Sequence, residues 1–93
     1  MYERVRLLIL ERPKYREILE RAVKVEEEAE RGLLEDSEII KNYGWEWYHV
    51  QAYPAELMRL VRDGIAKINY KSRKHTYYKL VNTDEVKRAL SSV

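Results

Sequence analysis

Five cations, Lys67, Lys71, Arg73, Lys74 and Lys79, fall within thirteen residues that contain no Asp or Glu. That density suits a phosphate track, because each phosphate neutralised by Lys or Arg releases condensed counterions and adds salt-dependent affinity. The plainer reading of the same run is a solvated strand edge that its lysines keep from aggregating. His75 and Tyr77 lie inside the run and would add polarity and one ring beside the cations. Just upstream, Arg59 and Arg62 stand one helical step apart. On the outer face of a helix they would meet paired guanine acceptors in a major groove, or failing that a phosphate. Glu56 and Asp63 flank them and would oppose a phosphate.

Other chemistry is poorly supplied. With no cysteine there is no disulfide, no thiolate metal ligand and no thiol nucleophile, which fits a reducing compartment. His49 and His75 are the only histidines, and neither has a second ligand at metal-binding spacing. The glutamates at 26, 27, 28 and 30 fall on several faces of one helix, so a solvated surface is a better account of them than acid–base work or cation binding. Gly32, Gly44 and Gly64 stand alone, which excludes a phosphate-cradling glycine loop. The expectation is a binding domain rather than an enzyme, with no catalytic residue, cofactor or metal. Trp45, Trp47, Tyr48 and Tyr53 would stack on the bases of a single strand. In a small chain without phenylalanine they read better as core filling.

Elements must position these side chains. Val5, Leu8 and Ile9 recur at helical spacing over residues 2–11, and Pro13 ends that helix and opens a second. In the second, Tyr15, Ile18, Leu19, Ala22, Val25, Ala29 and Leu33 form one stripe, and Gly32 stops it. Asp36 or Ser37 caps a short third helix with Ile39 and Ile40 inward and Gly44 at its end. The segment WEWYHVQAY fits a strand, a turn or a lead-in to the next helix equally well. From Pro54 to Asp63 a narrow face of Leu57, Leu60 and Val61 predicts a helix closed by Gly64, with Glu56, Arg59 and Arg62 outward.

Next, IAKINY and HTYYKLV alternate around KSRK, which predicts a hairpin. Ala66, Ile68, Tyr70, Tyr78 and Leu80 would face the core, and Lys67, Asn69, Lys71, His75, Tyr77 and Lys79 the solvent. Asn82 and Glu85 then form a capping box for a last short helix.

Within this order the string AELMRLVRDGIAKI carries a specific pattern: Leu57, Leu60, Val61, Gly64, Ile65 and Ile68 mark a leucine-rich helix, a glycine and an aliphatic start of a strand. It resembles the winged helix-turn-helix superfamily over about fifty residues, Asp36 to Val81. The resemblance implies an α+β, mainly α fold: a winged helix-turn-helix with an N-terminal helical extension and a C-terminal two-stranded wing. The chain then divides as residues 1–34 (N-terminal helices), 35–64 (helix-turn-helix), 65–81 (wing) and 82–93 (last helix). The connection from Gly44 to Pro54 is longer than the usual turn, and KSRK lacks the glycine frequent at such tips.

The implied ligand is double-stranded DNA, bound by Arg59, Arg62, Lys67, Lys71, Arg73, Lys74, His75, Tyr77 and Lys79, as in a transcriptional regulator or DNA-associated accessory factor. The competing reading is a protein-interaction winged helix or subunit of a nucleic-acid-processing assembly, docking through the second helix and the tryptophan segment.

The whole chain sets outer bounds. Ninety-three residues make one core. The net charge of +2 hides an asymmetry: residues 1–53 hold nine Lys/Arg against twelve Asp/Glu (−3), residues 54–93 nine against four (+5). The basic half is the one suited to a polyanion. No apolar run reaches the roughly 18–20 residues of a membrane span, so a cytoplasmic protein with no membrane partner is expected. The 37% charged content and single glutamine lean toward a heat-loving source. The apolar stripe from Tyr15 to Arg31 offers a homodimer seam, which would place two readers on two half-sites.

Overall fold

Val5, Leu8 and Ile9 turn inward on α1 (Tyr2–Glu11), and Pro13, in helical conformation, opens α2 (Lys14–Glu30). The computed structural model describes residues 1–92. Along α2 the expected Tyr15, Ile18, Leu19, Ala22 and Ala29 are buried, joined by Val23, while Val25 is half-buried and Leu33 exposed. The stripe is thus spent inside this chain, and the outer face of α2 is charged. Gly32, at φ +68°, lets the Leu33 amide turn back to the Glu28 carbonyl at 3.0 Å, closing the helix in a left-handed cap.

The short α3 (Ser37–Asn42) buries Ile40 but exposes Ile39, so only one of the two isoleucines expected inward reaches the core. Asp36 is its N-cap residue without a capping side-chain bond, since that carboxylate goes instead to His49 at 2.8 Å. The ambiguous aromatic segment divides in two. Trp45 pairs with Tyr78 through two backbone hydrogen bonds of 2.9 and 2.7 Å, adding a one-residue bridge to the sheet. Then comes a four-residue helix, α4 (Trp47–Val50), followed by Gln51 in the left-handed region and α5 (Pro54–Arg62). The element before α5 is therefore α4, across the turn 51–53, and the long connection from Gly44 to Pro54 contains structure of its own.

Leu57 and Leu60 are the buried face of α5, each burial contributing about 1.5–3 kcal/mol. Gly64 (φ +74°) and buried Ile65 lead into β1 (Ala66–Lys71), antiparallel to β2 (Thr76–Leu80). Asn82 caps α6 (Thr83–Ser91) by accepting from the Glu85 amide at 3.1 Å, which is half of the expected capping box; the Glu85 carboxylate pairs with Arg88 at 2.9 Å instead of turning back. Helix α6 packs on both α1 and α2. Trp45 is the largest fully buried side chain, and it shares one core with Val5, Ile18, Leu19, Val50, Leu57, Leu60, Ile65 and Val86. The result is an α+β domain, mainly helical, with one two-stranded antiparallel sheet. Among the described residues no helix is long and apolar enough to cross a membrane.

The hairpin departs from simple alternation. Ile68 pairs with Tyr78, but Tyr70 pairs with Tyr77 and Lys71 with Thr76, leaving Asn69 as an extra residue. One inserted residue exchanges the faces beyond it. Tyr70, expected inward with Tyr78, lies instead beside Tyr77, and Lys71 moves to the Thr76 side. Ile68 keeps its side but is partly exposed, because only Ala66 of β1 is buried and the rest projects past the helices.

Candidate nucleic-acid interface

The hairpin tip is built without left-handed residues: among the described residues Gln51 alone is a non-glycine at positive φ. The Ser72 amide donates to the His75 carbonyl at 2.8 Å, and the Ser72 hydroxyl accepts from the His75 amide at 3.2 Å. A serine side chain thus does the closing work that a glycine turn would otherwise do. It leaves Arg73 and Lys74 at the apex. Lys67, Lys71, Arg73 and Lys74 are exposed, and among the described residues none has a carboxylate within 4 Å. Lys79 is half-buried, its ammonium donating to the Lys41 carbonyl at 2.8 Å.

The two arginines of α5 part company. The Arg59 Nε donates to Asp63 Oδ2 at 2.8 Å and its Nη2 lies 4.0 Å from Glu11, with the side chain only 28% exposed. The bond to Asp63 raises its pKa further. Arg62 is exposed with no such partner. Glu56 is turned in as well: Oε1 accepts from the Tyr53 amide and Oε2 pairs with Lys14, both at 2.8 Å. Of Glu56, Arg59 and Arg62, all expected to point outward, only Arg62 does so freely, because the other two find partners on α1, α2 and their own helix. The open face of α5 is Ala55, Met58 and Arg62, with Tyr53 at its head. The expected opposition of Glu56 and Asp63 to a phosphate is weakened by the same pairings.

A cleft of about 250 Å³ separates the hairpin from the start of α5 and is lined by Glu46, Trp47, Pro54, Lys74 and Thr76 among others. It sets Lys74 and the head of α5 on two sides of one concavity.

Each histidine meets a carboxylate distant in sequence. The Nδ1 of His49 accepts from the Glu46 amide at 2.9 Å, so the ring proton sits on Nε2 and is given to Asp36. His75 Nδ1 lies 2.9 Å from Glu46 Oε1, while the Tyr48 hydroxyl donates to the other Glu46 oxygen at 3.0 Å. Partial desolvation of the hydroxyl beside buried Glu46, then the bond to that carboxylate, pushes the Tyr48 phenol up to about 12. Among the described residues no group of three His, Cys, Asp or Glu side chains converges to hold a metal ion.

The aromatic residues fall differently from their expected role as core. Trp45 is fully buried, but Trp47 (59%), Tyr48 (50%) and Tyr53 (69%) are largely exposed. Their segment runs along the surface once Trp45 has entered the sheet. Tyr77 is half-buried in a cluster that sequence reasoning missed: Tyr43–Tyr70 centroids lie 4.8 Å apart, Tyr43–Tyr77 5.8 Å and Tyr70–Tyr77 6.0 Å, with His75 stacked on Tyr77 at 5.9 Å. Partial burial and the Glu46 charge raise the Tyr77 phenol above its ordinary value. Glu46, itself buried, ties this cluster to Tyr48. No local signal announces Tyr43, whose place depends on the bulge at Asn69.

No protein-family model, curated protein or solved structure matches the chain.

Proposed function

We propose that this domain is a binding module of winged helix-turn-helix type that engages double-stranded DNA, with α5 entering the major groove and the hairpin tip crossing the adjacent backbone. One observation carries the reading: the exposed cations Arg62, Lys67, Lys71, Arg73 and Lys74 lack carboxylate partners, and the last four, unlike the equally unpaired Lys24 of the acidic α2 and Arg31 at its end, lie in a stretch, residues 64–82, without Asp or Glu. Unpaired cations at a protruding tip cost little to bring to a phosphate, since no ion pair must first be broken. The order α4, three-residue turn, α5, Gly64 and hairpin supports the same reading, as does the Trp45 bridge that widens the sheet. A DNA-binding regulator or accessory protein would use such a module.

The test is a fluorescence-anisotropy titration of a blunt duplex across a salt series. The variant Lys71→Ala/Arg73→Ala/Lys74→Ala should bind more weakly and flatten the slope of log affinity against log salt by about 2.7, or about 0.9 for each phosphate no longer neutralised. A wild-type protein that ignores duplex at low salt would end this reading and turn attention to a protein partner of Trp47 and Tyr53.

A further inference from the structure

We infer that the outer face of the hairpin is a second site, for unpaired single-stranded DNA, in which Tyr43, Tyr70 and Tyr77 stack bases and Lys67 and Lys79 hold the backbone. This goes beyond duplex binding: it shares Lys67 with that reading but rests on the tyrosine face of the hairpin and not on α5. Register sets Lys67 opposite Lys79 and Tyr70 opposite Tyr77 on the same side of the sheet. The bulge is what brings Tyr70 there, and the freed residue, Asn69, donates its side-chain amide to the Tyr43 carbonyl at 2.7 Å. One irregularity therefore delivers two rings: it turns Tyr70 outward and fastens Tyr43 against it.

Rings needed only as filling would be covered. Instead Tyr70, on the projecting hairpin, and Tyr43, at the end of α3, remain 48% and 42% exposed. Their tilts of 40–47° leave faces open rather than closing into a stacked pile.

Charge selects the occupant. Glu46 is occupied by His75 and Tyr48, Glu38 lies 4.0 Å from Lys41, and Glu26 and Glu30 line a small cleft with Lys41 and Lys79, Glu26 being taken up by Trp45, Leu80 and Thr83. In the register Lys67 and Lys79 pair on the body side of Tyr70 and Tyr77, and Arg73 and Lys74 stand in the turn beyond them. Exposed rings between cations suit a ligand with π faces on an anionic backbone, which is an unpaired strand. Paired bases, already stacked within a duplex, offer the same rings nothing.

The experiment is anisotropy of a labelled oligo-thymidylate of about 12 nucleotides, with blunt hairpin duplex and oligo-uridylate as parallel arms. Wild type should bind the thymidylate. Tyr70→Ala should weaken it roughly 5- to 150-fold, as expected for loss of one stacking partner, while Tyr70→Phe stays within about twofold. Lys67→Gln, an exposed residue whose loss leaves the fold intact, should lower the salt slope by about 0.7. Blunt-duplex affinity should be unchanged in Tyr70→Ala, which separates this site from the one on α5. No binding of thymidylate at low salt, or equal binding by wild type, Tyr70→Ala and Lys67→Gln, overturns the inference even if duplex binds. Binding of uridylate alone overturns its assignment to DNA.

Discussion

The indole N–H of Trp45 donates to Oε2 of Glu26 at 2.8 Å, and this one carboxylate also receives the Leu80 amide at 2.8 Å and the Thr83 hydroxyl at 2.7 Å. A single side chain of α2 thereby fastens the bridge, β2 and the start of α6. Removing it strands a buried indole donor and a backbone amide. Glu26→Ala should cost about 3 kcal/mol and lower Tm by roughly 12–24 °C, whereas Glu26→Gln, which keeps one acceptor oxygen, should lose less than half as much. Thermal melts by circular dichroism decide it; a Glu26→Ala protein melting with wild type contradicts the assignment.

Gly44 sits at φ +125°, and a Cβ there would collide with the Tyr78 backbone carbonyl oxygen. The neighbour is backbone held by the Trp45 pairing, so it cannot yield. Gly44→Ala should destabilise by on the order of 3 kcal/mol, while Gly32→Ala, with open space around it but φ +68°, should cost only conformational strain. Urea titration of the two variants should rank them in that order.

Lys14 and Glu56 join α2 to α5 at 2.8 Å. Burial pushes the Glu56 carboxyl up, but the Lys14 ammonium and the Tyr53 amide outweigh it and hold the group below its ordinary value. A depressed folded-state pKa means stability that is present above the unfolded value, about 4.5, and lost as the pH falls through the lower folded value. Wild type should therefore lose Tm faster than Glu56→Gln on acidification below about pH 4.5. Parallel losses in the two proteins would show that the pair carries no such linkage.

Arg59 and Arg62 should separate in binding assays. Arg62→Ala removes an unpaired cation and should weaken duplex affinity, flattening the salt slope by about 0.9 if it meets a phosphate. Arg59→Ala mainly releases Asp63 and Glu11, so its effect should be on stability, with duplex affinity changed by less than about twofold. The reverse ranking would mean that Arg59 leaves its partners when DNA arrives.

Long elements were legible in sequence because their signals are local. The stripes of α1 and α2, the stops at Gly32 and Gly64 and the Asn82 cap each depend on neighbours a few residues away. What escaped depends on distance. The four-residue α4 is too short to show a stripe, and the inward turn of Glu56 and Arg59 reflects partners on α1 and α2. A single extra residue at Asn69 reversed the reading of Tyr70 and Lys71. Exposure of Trp47 and Tyr53 was equally hidden, since composition says how much aromatic area exists but not where the surface passes. The cations of the candidate site were visible in advance; which of them stay unpaired was not.

The clasp between α1 and α6 has a bearing on biosynthesis. Val86 and Ala89 of α6 complete the core that Val5 and Leu8 of α1 begin, and the Arg88 guanidinium lies over the Tyr2 ring at 5.2 Å. As the ribosome releases the chain in order, α1 emerges early yet lacks its companion until α6 has left the exit tunnel. Val5, Leu8 and Ile9 must wait for full cover, and the domain closes in one late event rather than by stepwise growth.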